Sequence, residues 1–170
     1  PDFWIPQEIN TGLIHKKGAL SALRLSNEMN PEKKSSPHQF FIVLGKKQTE
    51  PTLKMIESKI SQQWFYEDFI KKYPYNIPEN LSEKELKKFK SEYDSKYMKE
   101  FKKTKESYTF TEKQREIYKS IGGLPQLDQN YTVFGELIEG WDGLEKISNI
   151  MPDKNFVPLD EIVVQMVALE

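Results

Sequence analysis

Ser36-Pro37-His38-Gln39-Phe40-Phe41-Ile42-Val43-Leu44-Gly45 is the stretch on which the fold turns. It reads as a β-strand, because aromatic and β-branched residues dominate it and Pro37 and Gly45 bracket it. Strand alternation places Gln39, Phe41 and Val43 on one face and Phe40, Ile42 and Leu44 on the other. Both faces carry large apolar residues, which predicts cover on both sides. Gln39 is the one polar side chain that shares a face with Phe41. An amide two residues from an aromatic ring suits a pocket that grips an apolar ring while hydrogen-bonding a peptide group. It equally fits a strand with one exposed amide.

Upstream, Gly18-Ala19-Leu20-Ser21-Ala22-Leu23-Arg24 alternates small and large residues, as a strand in a crowded small barrel does. The polar run Leu25 to Ser36 between the two strands is rich in turn formers. Residues 1–17 form an arm anchored by Phe3, Trp4 and Ile5, with His15 solvated beside Lys16 and Lys17. The chain starts at Pro1 rather than Met, as a mature form or a piece of a longer protein would. Downstream, Leu124 to Asn130 is a loop and Tyr131 to Glu139 a strand with Gly135 as a bulge or close-approach point. Gly140 to Gly143 turns the chain into a short helix, Leu144 to Ile150, that buries Leu144 and Ile147. After a loop over Met151 to Pro158, Glu161 to Leu169 reads as a closing strand.

Between residues 48 and 121 the composition changes and most of the charge is concentrated. A first helix starts near Thr49 or Thr52, with Leu53, Ile56, Ile60 and Trp64 as its apolar stripe, and fades at Lys72-Tyr73-Pro74. A second starts at Ser82, where Ser82 and Glu85 form a capping box and Leu81 and Leu86 a staple. Leu86, Phe89, Tyr93, Tyr97 and Phe101 follow at helical spacing. A third, Glu112 to Ser120, opens on a Thr111–Gln114 capping box and ends at Gly122-Gly123. The aromatic stripes predict a helical hairpin packed on itself, with its lysines solvated; a role in binding a partner stays open.

The chain has 170 residues, 37% of them hydrophobic and 30% charged, enough for one domain with a solvated segment. A net charge of -1 argues against a global electrostatic grip on nucleic acid, and salt-sensitive binding would be needed to revive that reading. With no cysteine, thiol catalysis, disulfides and zinc–thiolate sites are excluded, and nothing about compartment follows. Two histidines give no metal-binding spacing, so no metal or cofactor is expected. No apolar run approaches a membrane span.

Three blocks resemble the cyclophilin-type peptidyl-prolyl isomerases. Gly18 to Arg24 looks like the family's G-x-L-S-M-A-[NR] strand. Ser36 to Ile42 looks like its G-S-Q-F-F-I strand. Leu127 to Asp142 is similar to its L-D-G-x-[HY]-x-V-F-G-x-V-x-E-G-M-D run. The resemblance divides the chain into a partial barrel domain, residues 1–47 and 122–170, and a helical insertion, residues 48–121. It implies a mainly β fold with added α: an eight-stranded antiparallel barrel whose first strands this chain does not contain. It also implies proline cis–trans isomerisation of polypeptide substrates without a cofactor. By motif position Gln39 would hydrogen-bond the substrate backbone, Phe41 and Leu127 would line the proline hollow, and Tyr131 would stand at its rim. Leu23 and Arg24 would border the neighbouring pocket. Gln126 takes a rim position where the family often has an aromatic residue or His, Pro37-His38 replace Gly-Ser, and Leu23 replaces a smaller Ala.

The family's catalytic Arg lies in a block with no counterpart here, so the resemblance places it upstream of Pro1. Arg24 is the substitute within the chain, although its matched position borders the groove away from the reacting bond. A second reading belongs to another class: a cyclophilin-like binding module, weakly active or inactive, that docks on a larger assembly, such as an export or folding machine, through its groove or its helical insertion. An expanded, cysteine-free isomerase suits an extracytoplasmic bacterial setting.

Overall fold

The computed structural model describes residues 3–104, 107–155, 157–163 and 167. The order along the chain is β1 (Ala19–Ala22), β2 (Phe40–Ile42), α1 (Glu50–Lys72), α2 (Glu83–Phe101), α3 (Glu112–Ser120), a 3-10 turn (Pro125–Leu127), β3 (Val133–Glu136) and α4 (Trp141–Ser148). The strands form one antiparallel sheet in the order β2-β1-β3. An eight-stranded barrel is therefore not seen among the described residues. Residues 161–163 carry no strand, and part of the expected closing strand, residues 164–166, 168 and 169, falls outside the described residues.

Register fixes what each face carries. Leu20 stands opposite Ile42, Ser21 opposite Phe41 and Ala22 opposite Phe40. On the other edge Leu20 faces Gly135 and Ser21 faces Val133, so Phe134 is the extra residue of a β-bulge beside Gly135. One face is covered: Ala19, Val43 and Val133 are buried there, with Phe41 and Leu124 packed against them. The other is open. Phe40 is 45% and Phe134 56% exposed, and the two rings meet edge to face at 6.1 Å. This corrects the expectation of cover on both sides of β2, because no further layer packs on Phe40 among the described residues.

The helical segment holds a second core. The stripe Leu53, Ile56 and Ile60 of α1 packs with Ile14, Tyr108, Phe110 and Tyr118, and Trp64 and Ile117 lie against it. All three expected helix starts are present. Thr49 caps α1 through the Thr52 N–H, and both capping boxes are closed, Ser82 with Glu85 and Thr111 with Gln114. The aromatic stripes of α1 and α2 interlock. Phe65 lies 5.3 Å from Tyr97 and 5.1 Å from Phe101, and Phe69 lies 5.3 Å from both Tyr93 and Tyr97. Arg115 ties α3 to α1 by pairing with Glu50 and Glu57, and the Glu57 carboxylate also accepts the Phe110 N–H at 2.7 Å.

The segment leaves and rejoins the sheet at one place. Gly123 N–H donates to the Lys46 carbonyl (3.1 Å), Gln48 N–H donates to Tyr118 O (2.9 Å) and Leu124 N–H donates to His15 O (2.8 Å). Gly123, at φ +149°, is needed for this approach: a Cβ there would stand 2.3 Å from the His15 carbonyl oxygen.

Two smaller expectations are corrected. The last helix begins at Trp141, three residues early, and buries nothing: Leu144 is half-buried and Ile147 is 45% exposed, because no other element covers that face among the described residues. In the N-terminal arm Phe3 is exposed; the arm is fastened instead by a backbone bridge from Ile5 to Ser35. No helix among the described residues is long and apolar enough to cross a membrane.

Candidate functional site

On the covered side of the sheet the 3-10 turn and the start of β3 bring a loop, Asp128 to Tyr131, up against β1 and β2. The Tyr131 ring meets Phe41 edge to face at 5.8 Å and His15 at 6.3 Å. The Arg24 guanidinium lies over Tyr131, 4.8 Å from the ring centroid. Three hydrogen bonds hold Arg24: Nε donates to the Asn130 carbonyl (2.5 Å), Nη1 to the Leu25 carbonyl (2.9 Å) and Nη2 to Asn27 Oδ1 (2.6 Å). Burial lowers the Arg24 pKa from its ordinary value, and nearby Tyr131 and Glu67 partly offset this. The structure thus brings together Phe41, Tyr131 and Arg24.

The other expected residues are placed less tightly. Leu127 is half-buried at the end of the 3-10 turn, Gln126 is exposed beside it, and Leu23 is exposed just beyond β1. Gln39 lies one residue before β2 and is exposed, its carbonyl accepting the Leu23 N–H at 2.9 Å. It borders a hollow of about 380 Å³ with Ala22, Phe40 and Phe134, residues of the open face. The Gln39 amide is thus solvent-facing at the edge of the sheet, and Phe41 is the half-buried partner.

Beneath Tyr131 is a polar cluster that corrects the reading of His15. His15 is 1% exposed, not solvated. Its Nδ1 donates to Asp128 Oδ1 (2.7 Å), its backbone N–H donates to the same oxygen (2.9 Å), and Nε2 lies 3.1 Å from Ser21 Oγ. Tyr118 donates its hydroxyl to Asp128 Oδ2 at 2.6 Å. Burial, followed by the Asp128 charge, pushes the Tyr118 phenol far above its ordinary pKa. Lys16 and Lys17 suggested a solvated turn, but they flank a residue whose side chain points inward; the one sequence signal was the Asp in the Leu127 to Asp142 block.

Ser21, His15 and Asp128 stand in the atom order of a hydrolytic triad. Ser21, however, is 0% exposed and its hydroxyl donates to the Thr132 carbonyl at 3.0 Å. No substrate carbonyl can reach it, so the cluster is a support for the loop and not a nucleophile.

A family model described as cyclophilin-type peptidyl-prolyl cis-trans isomerase/CLD matches residues 78–169, more than half of the chain. The chain belongs to the cyclophilin-type isomerase family. The matched stretch takes in α2 and α3 as well as the Tyr131 loop, β3 and α4. Among curated proteins, one from Staphylococcus saprophyticus named "Putative peptidyl-prolyl cis-trans isomerase" is 44% identical over 52 residues, 31% of this chain and 26% of the relative. A protein of the same name from Staphylococcus epidermidis is 42% identical over 55 residues, 32% of this chain and 28% of the relative. Another from Staphylococcus haemolyticus is 42% identical over 53 residues, 31% of this chain and 27% of the relative. The chain thus spans about a quarter of the length of these relatives. No solved structure matches it.

Proposed function

We propose that this cyclophilin-family chain contributes the peptide groove of a peptidyl-prolyl cis–trans isomerase acting on proline-containing polypeptides. The observation that carries the reading is the half-buried Phe41 ring held edge-on by Tyr131 under a hydrogen-bonded Arg24. Rotation about a peptide bond meets a barrier of about 18–20 kcal/mol, and for X–Pro it takes tens to hundreds of seconds unaided. Lowering that barrier needs no nucleophile. It needs an apolar seat for the proline ring, a donor for the substrate backbone and a cation that favours loss of amide resonance. Phe41 and Leu127 serve as the seat, Tyr131 as its rim, and Gln39, with its amide free in solvent, as the donor. Leu23, Arg24 and Gln126 border the flanking part of the groove. The catalytic cation is an Arg that the matched blocks of this chain do not supply. On this reading the open Phe40–Phe134 face is the interior of an eight-stranded barrel, completed by strands beyond the edges β2 and β3. The test is acceleration of X–Pro isomerisation by the full-length protein at low temperature. Loss of acceleration in Phe41→Ala supports the groove; a folded wild type without acceleration overturns it.

One observation favours a binding module instead: Tyr66 and Met98 on the helical hairpin are exposed. That reading predicts that Tyr66→Ala with Met98→Ala abolishes co-purification with an assembly while isomerisation is untouched. Excising residues 48–121 is a poor test, since Tyr118 lies in the core.

A further inference from the structure

The loop carrying Tyr131 is held by α1 as well as by the sheet. Gln63 and Asn130 form a reciprocal amide pair: Gln63 Nε2 donates to Asn130 Oδ1 (2.7 Å), and Asn130 Nδ2 donates to Gln63 Oε1 (3.1 Å). One turn further along α1, Glu67 Oε1 accepts from Gln63 Nε2 (2.9 Å) and from Asn27 Nδ2 (3.3 Å). Asn27 in turn accepts from Arg24 Nη2, and Arg24 Nε donates to the Asn130 carbonyl. The hydrogen bonds close a circuit: Glu67, Asn27, Arg24, Asn130, Gln63 and back to Glu67. Lys33 Nζ adds a bond to Glu67 Oε2 at 3.1 Å and another to the Gln129 carbonyl at 3.3 Å.

The chemistry of the circuit fixes its sense. Asn27 satisfies both neighbours in one orientation only, with its NH2 toward the Glu67 carboxylate and its oxygen toward the Arg24 cation. Glu67 is the one carboxylate in the ring and Arg24 the one cation, linked through an amide rather than in direct contact. Such a relay orients a guanidinium without neutralising it by a bidentate clamp. Three N–H groups of Arg24 are used, and its Cζ lies over the Tyr131 ring.

We infer that Gln63 and Glu67 of α1 are positioning residues for the peptide groove, holding the Arg24 guanidinium over Tyr131 so that the rim is formed before substrate arrives. This rests on the groove reading above, and it makes the helical segment a working part of the site. A rim formed in advance lowers the ordering cost of binding, so its loss falls on KM rather than on kcat.

The experiment uses the full-length protein and an X–Pro peptide, with Glu67→Leu and Gln63→Ala made alone and in an Arg24→Ala background. Leu is close to Glu in size but offers no acceptor to Gln63 or Asn27, and a urea midpoint near that of the wild type checks that the fold is kept. The expected result is a three- to tenfold rise in KM with kcat within about twofold, and no further rise when Arg24 is already Ala. A second readout needs no substrate. The Arg24 Nε–H, held by the Asn130 carbonyl, should exchange with solvent at least about tenfold faster in Glu67→Leu than in the wild type by NMR. Unchanged exchange, or an equal KM effect in the Arg24→Ala background, overturns the proposal. Faster Arg24 exchange in a protein that neither binds nor turns over the peptide leaves the hold of α1 on Arg24 standing and overturns the groove reading instead.

Discussion

Tyr118 and Asp128 are joined by a hydrogen bond of 2.6 Å, phenol to carboxylate, in a site closed to solvent. Through this bond the last turn of α3 fastens the loop that presents Tyr131. Because burial and the Asp128 charge raise the phenol's pKa, the folded protein keeps it protonated at a pH where the unfolded chain ionises it. The contribution is therefore complete below the unfolded tyrosine pKa of about 10 and declines as pH rises above it, by about 1.4 kcal/mol per unit for one proton. Tyr108 is raised in the same direction, chiefly by burial, and adds to the slope. Urea unfolding of wild type and Tyr118→Phe between about pH 9 and 11 should show a clearly shallower decline in the variant; parallel curves would refute the linkage.

Asp128 receives three donors: the His15 backbone and ring N–H groups and the Tyr118 hydroxyl. Asp128→Asn keeps the shape but removes the charge and one acceptor oxygen, so the Tyr118 hydroxyl must turn from donor to acceptor or a His15 N–H loses its partner. A loss of about 3 kcal/mol is expected, read as a lower urea midpoint. A loss under about 0.5 kcal/mol, the range of ordinary surface changes, would mean the cluster adds little to the fold.

Phe69 is buried among Phe65, Tyr73, Tyr93 and Tyr97. Phe69→Ala should cost about 3 kcal/mol, concentrated in the hairpin. Hydrogen exchange should rise across α2 before it rises in the sheet. Uniform acceleration throughout the chain would show instead that helices and sheet unfold as one unit.

Gln39 and Phe41 separate binding from stability. Gln39 is exposed, so Gln39→Ala should change stability by no more than about 0.5 kcal/mol. Its kcat/KM toward an X–Pro peptide should fall about three- to tenfold, the worth of one neutral hydrogen bond. Phe41→Ala should lower both. A Gln39→Ala enzyme with unaltered kcat/KM would take the amide out of the groove.

Local signals were readable where chemistry is local. Thr49, Ser82 and Thr111 announce their helices because a capping side chain and its partner lie within one turn. The Leu53–Ile56–Ile60 stripe and the aromatic stripes were legible for the same reason, since spacing alone puts them on one face. The burial of His15 is not legible because its partner Asp128 is 113 positions away and its neighbours are lysines. The Gln63–Asn130 pair and the Glu67–Asn27 contact, between amides and a carboxylate far apart in the chain, left no periodic trace at all. The open face of Phe40 is not legible for another reason: apolarity on a strand states a demand for cover, and does not say which residues meet it.

The glycine junction has a consequence for chain length. Lys46 and Gly123 are hydrogen-bonded neighbours although the whole helical segment intervenes between them. For the sheet, that segment is a closed loop, and lengthening such a loop costs only about 0.6 kcal/mol per doubling. Changes of length between Lys46 and Gly123 therefore carry little entropic cost for the sheet and leave its register alone. What resists removal of the segment is the set of contacts that bind it to the sheet side, Tyr118 on Asp128 and Gln63 on Asn130.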